Sequence, residues 1–260
     1  MLETGDLLVD LRPDGALWLT LNRPEVLNAF SPELSVALAE RLEDAGANDE
    51  VRVVVITGTG TSFSAGADIS GADAHERFDV RALDAANRII RAVTGCPKPV
   101  VAAVNGVAAG VGCSTALAAD LVVAAESATF LLAFARIGLM PDGGTSATVA
   151  AAIGRARAMR MALLAEPLTG REAHEAGLVS HVAADDELPG LVDKIVGRLA
   201  TGAPLAQAAT KKAVNAATLD QLEPALERER IGQAILLRTA DVAEGMRAFG
   251  EGRRPEFRGD

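Results

Sequence analysis

Continuous runs of β-branched and other apolar residues constrain the fold of this chain most strongly. They occupy residues 51–57, 100–104 and 121–124. Such runs are typical of strands that are buried on both faces of a parallel sheet. An apolar stripe over residues 79–93 predicts a helix between the first two runs, so their connection is a crossover. The sequence therefore predicts an α/β fold with a largely parallel sheet.

The N-terminal segment is predicted to form a hairpin followed by a helix. Residues 7–10 and 16–21 are expected to pair across residues 13–15, whose Pro-Asp-Gly sequence has the chemistry of a tight turn. Ser31 then supplies an N-cap before a proline and an early glutamate, and leucines recur at helical spacing after it. This helix is predicted to end near Gly46.

The last part of the chain differs in composition from the rest. Beyond about residue 145 the β-branched runs fade, apart from a short predicted strand at 178–182, and alanine-rich helical patterns cover residues 188–250. Pro204 follows Gly202-Ala203 and is suited to begin a helix, so it marks a hinge. We therefore predict a core at residues 1–199 and a helical C-terminal region at residues 200–260.

The overall charge limits the partners of this chain. Its 260 residues carry a formal net charge of −10, whereas a nucleic-acid-binding surface needs clustered basic residues that displace counterions from phosphates. We expect no nucleic acid partner. A small anionic ligand stays compatible with this charge, since a few local basic residues and helix N-termini suffice to hold a phosphate.

No segment of the sequence is typical of export or of membrane insertion. The first twenty residues carry four acidic residues, which is wrong for a secretory signal. The apolar stretch at 100–125 contains Asn105, Asp120 and three glycines, so we predict a strand, a glycine loop, a short helix and a second strand instead of a membrane span. Cys96 and Cys113 have no metal-like spacing and suggest no disulfide framework. A cytoplasmic protein without a metal site or a membrane partner is expected.

Two glycine-containing loops indicate chemistry at the ends of predicted strands. Residues 63–69 follow the first β-branched run and residues 105–112 follow the second. Glycine lets the main chain approach a ligand closely, and two backbone N–H groups aimed at one carbonyl oxygen stabilise the negative charge that develops there. Taken without their flanking motifs, the glycines are equally consistent with tight turns.

Four ordered motifs resemble the crotonase superfamily, the enoyl-CoA hydratase/isomerase family, and the resemblance extends to residues 244–249. The motifs are Leu21-Asn22-Arg23-Pro24-Glu25-Val26-Leu27-Asn28-Ala29, Ser64-Ala65-Gly66-Ala67-Asp68-Ile69, Pro97-Lys98-Pro99-Val100-Val101-Ala102-Ala103-Val104-Asn105-Gly106 and Ile137-Gly138-Leu139-Met140-Pro141-Asp142-Gly143-Gly144. The resemblance implies a ββα spiral core, a helical C-terminal trimerisation region, and a homotrimer or a dimer of trimers. It also implies an acyl-CoA thioester as the substrate, with coenzyme A as part of that substrate and no separate cofactor.

The same resemblance assigns residues to the binding of the thioester and of coenzyme A. The backbone N–H groups of Ala67 and Val111 are the implied donors to the enolate oxygen. Phe249 resembles a position that packs on coenzyme A from a neighbouring subunit, and a buried core aromatic is the alternative. The implied coenzyme A contacts are Val26, Leu27, Ala65, Asp68 and Ile69.

The resemblance also leaves one expected phosphate contact open. Glu25 stands where several relatives have a basic residue that meets a phosphate. Arg23 either takes over that contact or is a solvated loop residue.

The acid and base groups decide which reaction is expected. Hydratases of this family use two glutamates, and the corresponding positions here are Ser114 and Phe134, which take no proton at neutral pH. Efficient hydration is therefore disfavoured. Both residues remain candidates for contact with the substrate, although Ser114 is also explained as a small residue that fills space on a glycine-packed helix.

Asp142 is the acidic residue that remains for proton transfer. In isomerase branches of the family, an aspartate in a similar Pro-Asp-Gly context moves a proton from one carbon to another. The alternative is that Asp142 caps a helix from Thr145 onward, which would lower its pKa, whereas burial among apolar walls would raise it. The sequence thus favours an enoyl-CoA isomerase, with a hydratase acting on 2-enoyl-CoA and a catalytically inactive acyl-CoA-binding homologue as alternatives.

Overall fold

The computed structural model describes residues 5–69 and 79–260. The strands, in chain order, are β1 (Leu7–Leu11), β2 (Ala16–Leu21), β3 (Val53–Gly58), β4 (Ser62–Ser64), β5 (Val100–Val104), β6 (Val107–Ala109), β7 (Leu121–Ala125), β8 (Thr129–Leu131), β9 (Leu168–Thr169) and β10 (His181–Ala183). The helices are α1 (Pro32–Ala47), α2 (Val80–Gly95), α3 (Val111–Leu117), α4 (Thr145–Leu164), α5 (Gly170–Ala176), α6 (Leu188–Ala200), α7 (Pro204–Thr218), α8 (Leu222–Leu236) and α9 (Ala240–Gly250). Short 3-10 helices occupy Pro24–Val26 and Ala133–Ile137.

The main sheet of the described chain has six strands in the order β1-β2-β3-β5-β7-β10. β1 and β2 are antiparallel, and every later pair of neighbours is parallel. All residues of β5 and nearly all of β3 are buried, as expected for parallel strands that are covered on both faces. The predicted α/β class is therefore confirmed.

A second, smaller sheet contains β4, β6, β8 and β9 in that order. Its first three strands each follow a strand of the main sheet after a short turn, so that β4 follows β3, β6 follows β5 and β8 follows β7. Each repeat therefore places one strand in each sheet before the chain continues into a helix or a 3-10 helix. This arrangement is the ββα spiral that the resemblance implied.

Local sequence explains where the first elements begin and end. Gly15 in the hairpin turn has a φ of 85°, and the Asp14 carboxylate accepts a hydrogen bond from the Ala16 N–H at 3.0 Å. The Ser31 hydroxyl accepts a hydrogen bond from the Leu34 N–H at 3.1 Å and caps α1 as predicted.

One predicted strand lies later in the chain than the sequence pattern indicated. The pattern placed it at residues 178–182, whereas β10 covers His181–Ala183 and pairs with β7. Leu178 and Val179 are apolar because they are buried in the turn after α5, where both N–H groups donate to Ala173 O. Burial in a turn thus accounts for the misplaced start of the strand.

The C-terminal helices pack onto the sheet region through specific polar contacts. α7 begins at Pro204, as predicted, and its Lys211 ammonium contacts the Asp120 carboxylate at 2.8 Å and donates to Val93 O at 2.8 Å. The division of the chain at residues 199 and 200 stays a prediction. Across the two described stretches, every helix is too short or too polar to cross a membrane.

Candidate active site

An apolar cavity of about 920 Å³ lies at the carboxyl ends of β4, β6 and β8. These strands are parallel neighbours in the small sheet, so the loops that follow them meet at one edge. Helices α1 and α2 add apolar and small side chains to the walls, Val36 and Leu83 among them. The carboxyl ends of parallel strands are a frequent location of ligand sites because the loops there are free to carry functional groups.

The two backbone donors implied by the sequence both line this cavity. In the bridge between Ala67 and Phe30, the Phe30 N–H donates to Gly66 O at 2.7 Å and the Asp68 N–H donates to Phe30 O at 3.0 Å. The hydrogen bonds of this β-bridge thus involve the Gly66 carbonyl and the Asp68 N–H, and the N–H of Ala67 takes no part in them. Val111 is the first residue of α3, so its N–H has no acceptor within the helix. Neither N–H donates to an acceptor in the described part of the chain.

The loops after β4 and β6, which carry Ala67 and Val111 and are called the donor loops below, approach each other closely only because position 66 is a glycine. Gly66 has a φ of 99°, and a Cβ there would lie 2.8 Å from Ala109 O. Gly110 has a φ of 51°, and its N–H donates to Leu131 O at 3.0 Å. These contacts fix the backbone of both donor loops. The N–H of Val111 belongs to that backbone, so the valine side chain does not remove the donor.

Asp142 places a buried carboxyl group in the same cavity. Its side chain is only 7% exposed. Burial raises the pKa of Asp142 to about 7, while a hydrogen bond from Gln233 opposes that rise and the charge of Glu229 adds to it. A carboxyl group with a pKa near neutrality both accepts and returns a proton readily.

Asp142 is not the N-cap of α4, so that alternative is wrong. The N-cap residue is Gly144, and the N–H groups at the start of the helix are accepted by Glu229 on α8, whose Oε2 accepts the Gly144 N–H at 2.7 Å and whose Oε1 accepts the Ser146 N–H at 2.9 Å. The Asp142 side chain instead accepts a hydrogen bond from Gln233 Nε2 at 2.9 Å. Burial raises the pKa of Glu229, and the hydrogen bonds from the helix N-terminus oppose that rise. Burial likewise dominates the pKa of Asp142.

Glu229 and Gln233 are the site residues that the sequence analysis missed. Both are essentially fully buried, and they lie one helical turn apart on α8. The only signal in the sequence is a polar pair at i and i+4 on an amphipathic helix, and a solvent-exposed pair has the same signature. Because they lie some ninety residues from Asp142 along the chain, local sequence does not reveal their contacts.

The residues implied for coenzyme A all line the cavity, and a buried asparagine holds the first segment of them. These residues are Val26, Leu27, Ala65, Asp68 and Ile69. Asn28 donates through Nδ2 to Thr59 O and Ser62 O, each at 2.9 Å. Leu27 has a φ of 53°, so this anchoring stabilises a left-handed backbone that turns the segment toward the cavity.

Arg23 is neither a solvated loop residue nor part of the cavity wall. Its guanidinium donates to Ala29 O at 2.6 Å and to the Asp68 carboxylate at 3.1 Å, and its side chain is 16% exposed. The interpretation of Arg23 as a solvated loop residue is therefore wrong, because the residue fastens the segment near Val26 to the loop after β4. Its contact with a phosphate stays a prediction. Glu25 does line the cavity.

Ser114 and Phe134 occupy different environments. Phe134 lines the cavity, whereas Ser114 is not among the lining residues. The Ser114 hydroxyl donates to Asp142 O at 2.9 Å, and a Cβ on Gly143 would approach its side chain to 2.7 Å. The assignment of Ser114 as a substrate contact therefore needs correction, because the residue supports the backbone of Asp142 in a tightly packed position.

Phe249 on α9 lines the cavity and is 62% exposed. The alternative that it is a buried core aromatic is therefore wrong. Within residues 5–69 and 79–260, no three metal-ligating side chains of the His, Cys, Asp or Glu type are grouped to hold an ion.

Comparisons with known proteins agree with this geometry. The enoyl-CoA hydratase/isomerase family profile matches residues 12–260. The chain is 39% identical over 250 residues to the 1,2-epoxyphenylacetyl-CoA isomerase of Escherichia coli, covering 94% of this chain and 95% of that protein. It is 40% identical over 248 residues to a probable enoyl-CoA hydratase of Rhodobacter capsulatus, covering 95% of each. The crystal structure of an enoyl-CoA hydratase from Mycobacterium avium subsp. paratuberculosis superimposes with a TM-score of 0.92 at 48% identity, covering 97% of this chain and 98% of that one.

Together, the ββα spiral, the cavity and these matches define an acyl-CoA-processing enzyme of the crotonase type. The chain belongs to the enoyl-CoA hydratase/isomerase family.

Proposed function

We propose that this enzyme is an enoyl-CoA isomerase that moves a double bond between the 3,4 and 2,3 positions of an acyl-CoA. The observation that carries the proposal is the buried carboxyl group of Asp142 in the cavity that Ala67 and Val111 also line. A double-bond shift needs one proton carrier and one oxyanion site, and this cavity supplies a candidate for each.

The proposed reaction uses one carboxylate twice. Asp142 takes a proton from the carbon beside the thioester carbonyl of a 3-enoyl-CoA, and the electron pair of that C–H bond moves toward the carbonyl oxygen. The resulting dienolate oxygen is held by the N–H groups of Ala67 and Val111. The protonated Asp142 then delivers the same proton to the fourth carbon, and the thioester carbonyl re-forms. No other reactant is consumed.

A related candidate is the isomerisation of a ring-containing acyl-CoA. The similarity to the 1,2-epoxyphenylacetyl-CoA isomerase favours it. A cavity of about 920 Å³ with apolar walls has room for a ring beside the thioester. The same carboxylate and the same two backbone donors serve both substrates.

A hydratase is the other catalytic candidate, and the descriptions of two relatives as hydratases favour it. Hydration needs a group that activates water and a proton that reaches carbon. The side chains at the two implied glutamate positions, Ser114 and Phe134, supply neither function. Asp79 is exposed and pairs with Arg81, and the partly buried Asp68 pairs with Arg23, so neither carboxylate replaces a buried acid–base pair.

The remaining parts of the proposal concern binding and assembly. Coenzyme A is expected along Val26, Leu27, Ala65, Asp68 and Ile69, with Phe134 near the acyl group and Phe249 at the rim. Coenzyme A enters as part of the substrate, and no separate cofactor is proposed. We propose a cytoplasmic homotrimer or dimer of trimers whose contacts involve the C-terminal helices.

Replacement of Asp142 by Asn tests the isomerase proposal. The amide keeps the size of the side chain but neither accepts nor releases a proton near neutral pH, so turnover of a 3-enoyl-CoA should fall roughly a thousandfold while acyl-CoA binding persists. The measurement is the formation of 2-enoyl-CoA, with binding followed by calorimetry. Full activity of D142N would exclude Asp142 as the shuttle.

Two further measurements separate the alternatives. Conversion of crotonyl-CoA to 3-hydroxyacyl-CoA by the wild type would favour the hydratase. Tight acyl-CoA binding without deuterium exchange from solvent into any acyl-CoA would favour an inactive homologue. The isomerase proposal expects slow incorporation of solvent deuterium at the second and fourth carbons, from the fraction of turnovers in which protonated Asp142 exchanges its proton with solvent while the dienolate is bound.

A further inference from the structure

Gln233 joins two polar groups of the loop that carries the proposed base. Its Nε2 donates to Asp142 Oδ2 at 2.9 Å, and its Oε1 accepts the Met140 N–H at 3.2 Å. A backbone N–H only donates, so the Gln233 atom facing Met140 is the carbonyl oxygen and the group facing Asp142 is the donor. The side chain is 0% exposed, which leaves it little freedom to exchange these partners.

The two oxygens of the Asp142 carboxyl group have different surroundings. Oδ2 accepts the hydrogen bond from Gln233, whereas Oδ1 is buried and has no hydrogen-bond partner among the described residues. An amide N–H favours an oxygen that keeps its lone pair, so it disfavours a proton on Oδ2. The asymmetry leaves Oδ1 as the better position for a proton.

We propose that Gln233 is a positioning residue that holds Oδ2 of Asp142 and thereby leaves Oδ1 as the oxygen that carries the substrate proton. This inference rests on the proposed isomerase function, because it assigns that shuttle to one atom. The side-chain hydrogen bonds of Gln233 go to Met140 and Asp142 of the loop, and Gln233 does not line the cavity. Its contribution is orientation of the carboxyl plane and stabilisation of the ionised form.

The charged neighbours of Asp142 determine the sign of each expected effect. Glu229 on α8 raises the pKa of Asp142 through its charge, after burial as the main cause. On α3, burial raises the pKa of Cys113 to about 12, so that thiol stays neutral. Besides Asp142, the charged side chains that line the cavity are Glu25, Asp68, Asp79, Arg81 and Arg136.

The pairs that connect α2 to α8 lie on the exposed surface. Asp84 pairs with Arg230, and Arg91 pairs with Glu223. Variants at Gln233 and at Glu229 leave these pairs and all the other charged cavity residues unchanged.

Three variants test the role of Gln233 through the pH profile of kcat. Gln233→Met keeps the approximate volume but removes the donor, so the acidic limb should move to higher pH by about one unit and the plateau should fall roughly tenfold. Gln233→Glu keeps an acceptor for the Met140 N–H but places a second acid against Asp142, so the limb should move at least as far. Glu229→Gln removes a negative charge, so the limb should move to lower pH.

The opposite directions distinguish positioning from a purely structural role. Loss of packing alone would lower kcat or the melting temperature without moving the limb in opposite directions at these two neighbouring positions. Coincident limbs for the wild type and Q233M, or limbs that move the same way in Q233M and E229Q, would overturn the inference. A Q233E profile equal to that of the wild type would show that only the Met140 contact matters and would also overturn it.

A measurement without turnover keeps this inference separate from the proposed function. Carbon NMR titration of the aspartate carboxyl groups follows Asp142 directly, with its signal identified by its loss in D142N. The expected result is an upward shift in Q233M and a downward shift in E229Q. If D142N kept full activity, the isomerase proposal would fail, whereas an unshifted Asp142 titration in Q233M would defeat only the role of Gln233.

Discussion

Hydrogen bonds fix the backbone of Asp142, whereas its carboxyl group lies in a buried environment that disfavours its charged form. The carbonyl oxygen of Asp142 accepts hydrogen bonds from the Ser114 and Thr145 hydroxyls, each at 2.9 Å. Its carboxyl group receives only the Gln233 hydrogen bond among the described residues, and burial raises its pKa to about 7. The fixed backbone prevents the side chain from turning out to solvent, so the desolvation persists in the folded state. A reactive carboxylate therefore costs folding stability.

This cost predicts a pH-dependent stability difference between the wild type and D142N. The folded pKa of about 7 lies above the unfolded value of an aspartate. Between these values the folded state binds more protons, so wild-type stability falls as pH rises through this window and is flat above it. The asparagine of the variant does not titrate, so D142N should gain roughly 2–3 kcal/mol relative to the wild type between about pH 5 and about pH 8.

Urea unfolding of both proteins at several pH values measures this difference. Asp220→Asn, at an exposed position, serves as the control and should show no comparable trend. A D142N advantage that is independent of pH would mean that Asp142 titrates in the folded protein as it does in the unfolded chain.

At the scale of single residues, the sequence identified the proposed base but not its environment. The Pro-Asp-Gly context singled out Asp142, and the structure places it in the cavity with Ala67 and Val111. Whether Asp142 was a cap or a buried acid depended on Glu229, which caps α4 from a distant helix. Side-chain contacts over such separations depend on tertiary packing, which local spacing does not encode.

At the scale of elements, α8 connects the proposed active site with the molecular surface. Glu229 and Gln233 face inward and contact the loop around Asp142. Ile231 and Ile235, also one turn apart, lie on an exposed face at 53% and 64% exposure. One helix thus carries a buried polar stripe and an exposed apolar stripe.

The donor loops are elements whose spacing depends on one glycine, and this predicts the effect of Gly66→Ala. The added Cβ would lie 2.8 Å from Ala109 O at a φ of 99°, so the loops after β4 and β6 must separate. Since Ala67 and Val111 belong to these loops, kcat should fall at least about tenfold, with a stability loss of roughly 1 kcal/mol or more. The measurements are isomerase kinetics and urea unfolding.

Gly177→Ala is the matched control for this prediction. Gly177 has a φ of 81° at the end of α5, and its nearest contact for a Cβ is at 4.0 Å. The variant should lose similar backbone stability and keep its kcat. An equal loss of kcat in both variants would attribute the effect to general strain and not to the donor loops.

The sequence predicted long elements better than short ones. β3, β5 and β7 follow from β-branched runs, and the hinge before α7 follows from Pro204. The residue patterns alone did not predict the second sheet, which only the family resemblance implied, because β4, β6 and β8 have three residues each. A period cannot be recognised over so few residues, and these strands form because the preceding main-sheet strands bring them side by side.

At the scale of the whole molecule, the C-terminal helices carry several exposed apolar residues, as do β1 and the end of α4. Leu205 and Val214 on α7 are 85% and 53% exposed, and α7 has no buried residue although its Lys211 is anchored to the sheet region. Together with Ile231 and Ile235 on α8, they leave an apolar surface on the region that is proposed to assemble. Such surfaces are typical of contacts between subunits.

This distribution predicts that Ile235→Glu weakens assembly. A charge in the centre of an apolar contact is desolvated on association, so the variant should sediment as a smaller species than the wild type, which is expected at three or six times the chain mass. Leu8→Glu, at a 47% exposed position on β1, is the matched control and should keep the wild-type mass. Unchanged circular dichroism in both variants would show that the subunit itself stays folded. Dissociation by L8E but not by I235E would show that the subunits contact each other through the edge strand β1 and not through the C-terminal helices. A wild type that sediments at the mass of one chain would contradict the proposed trimer.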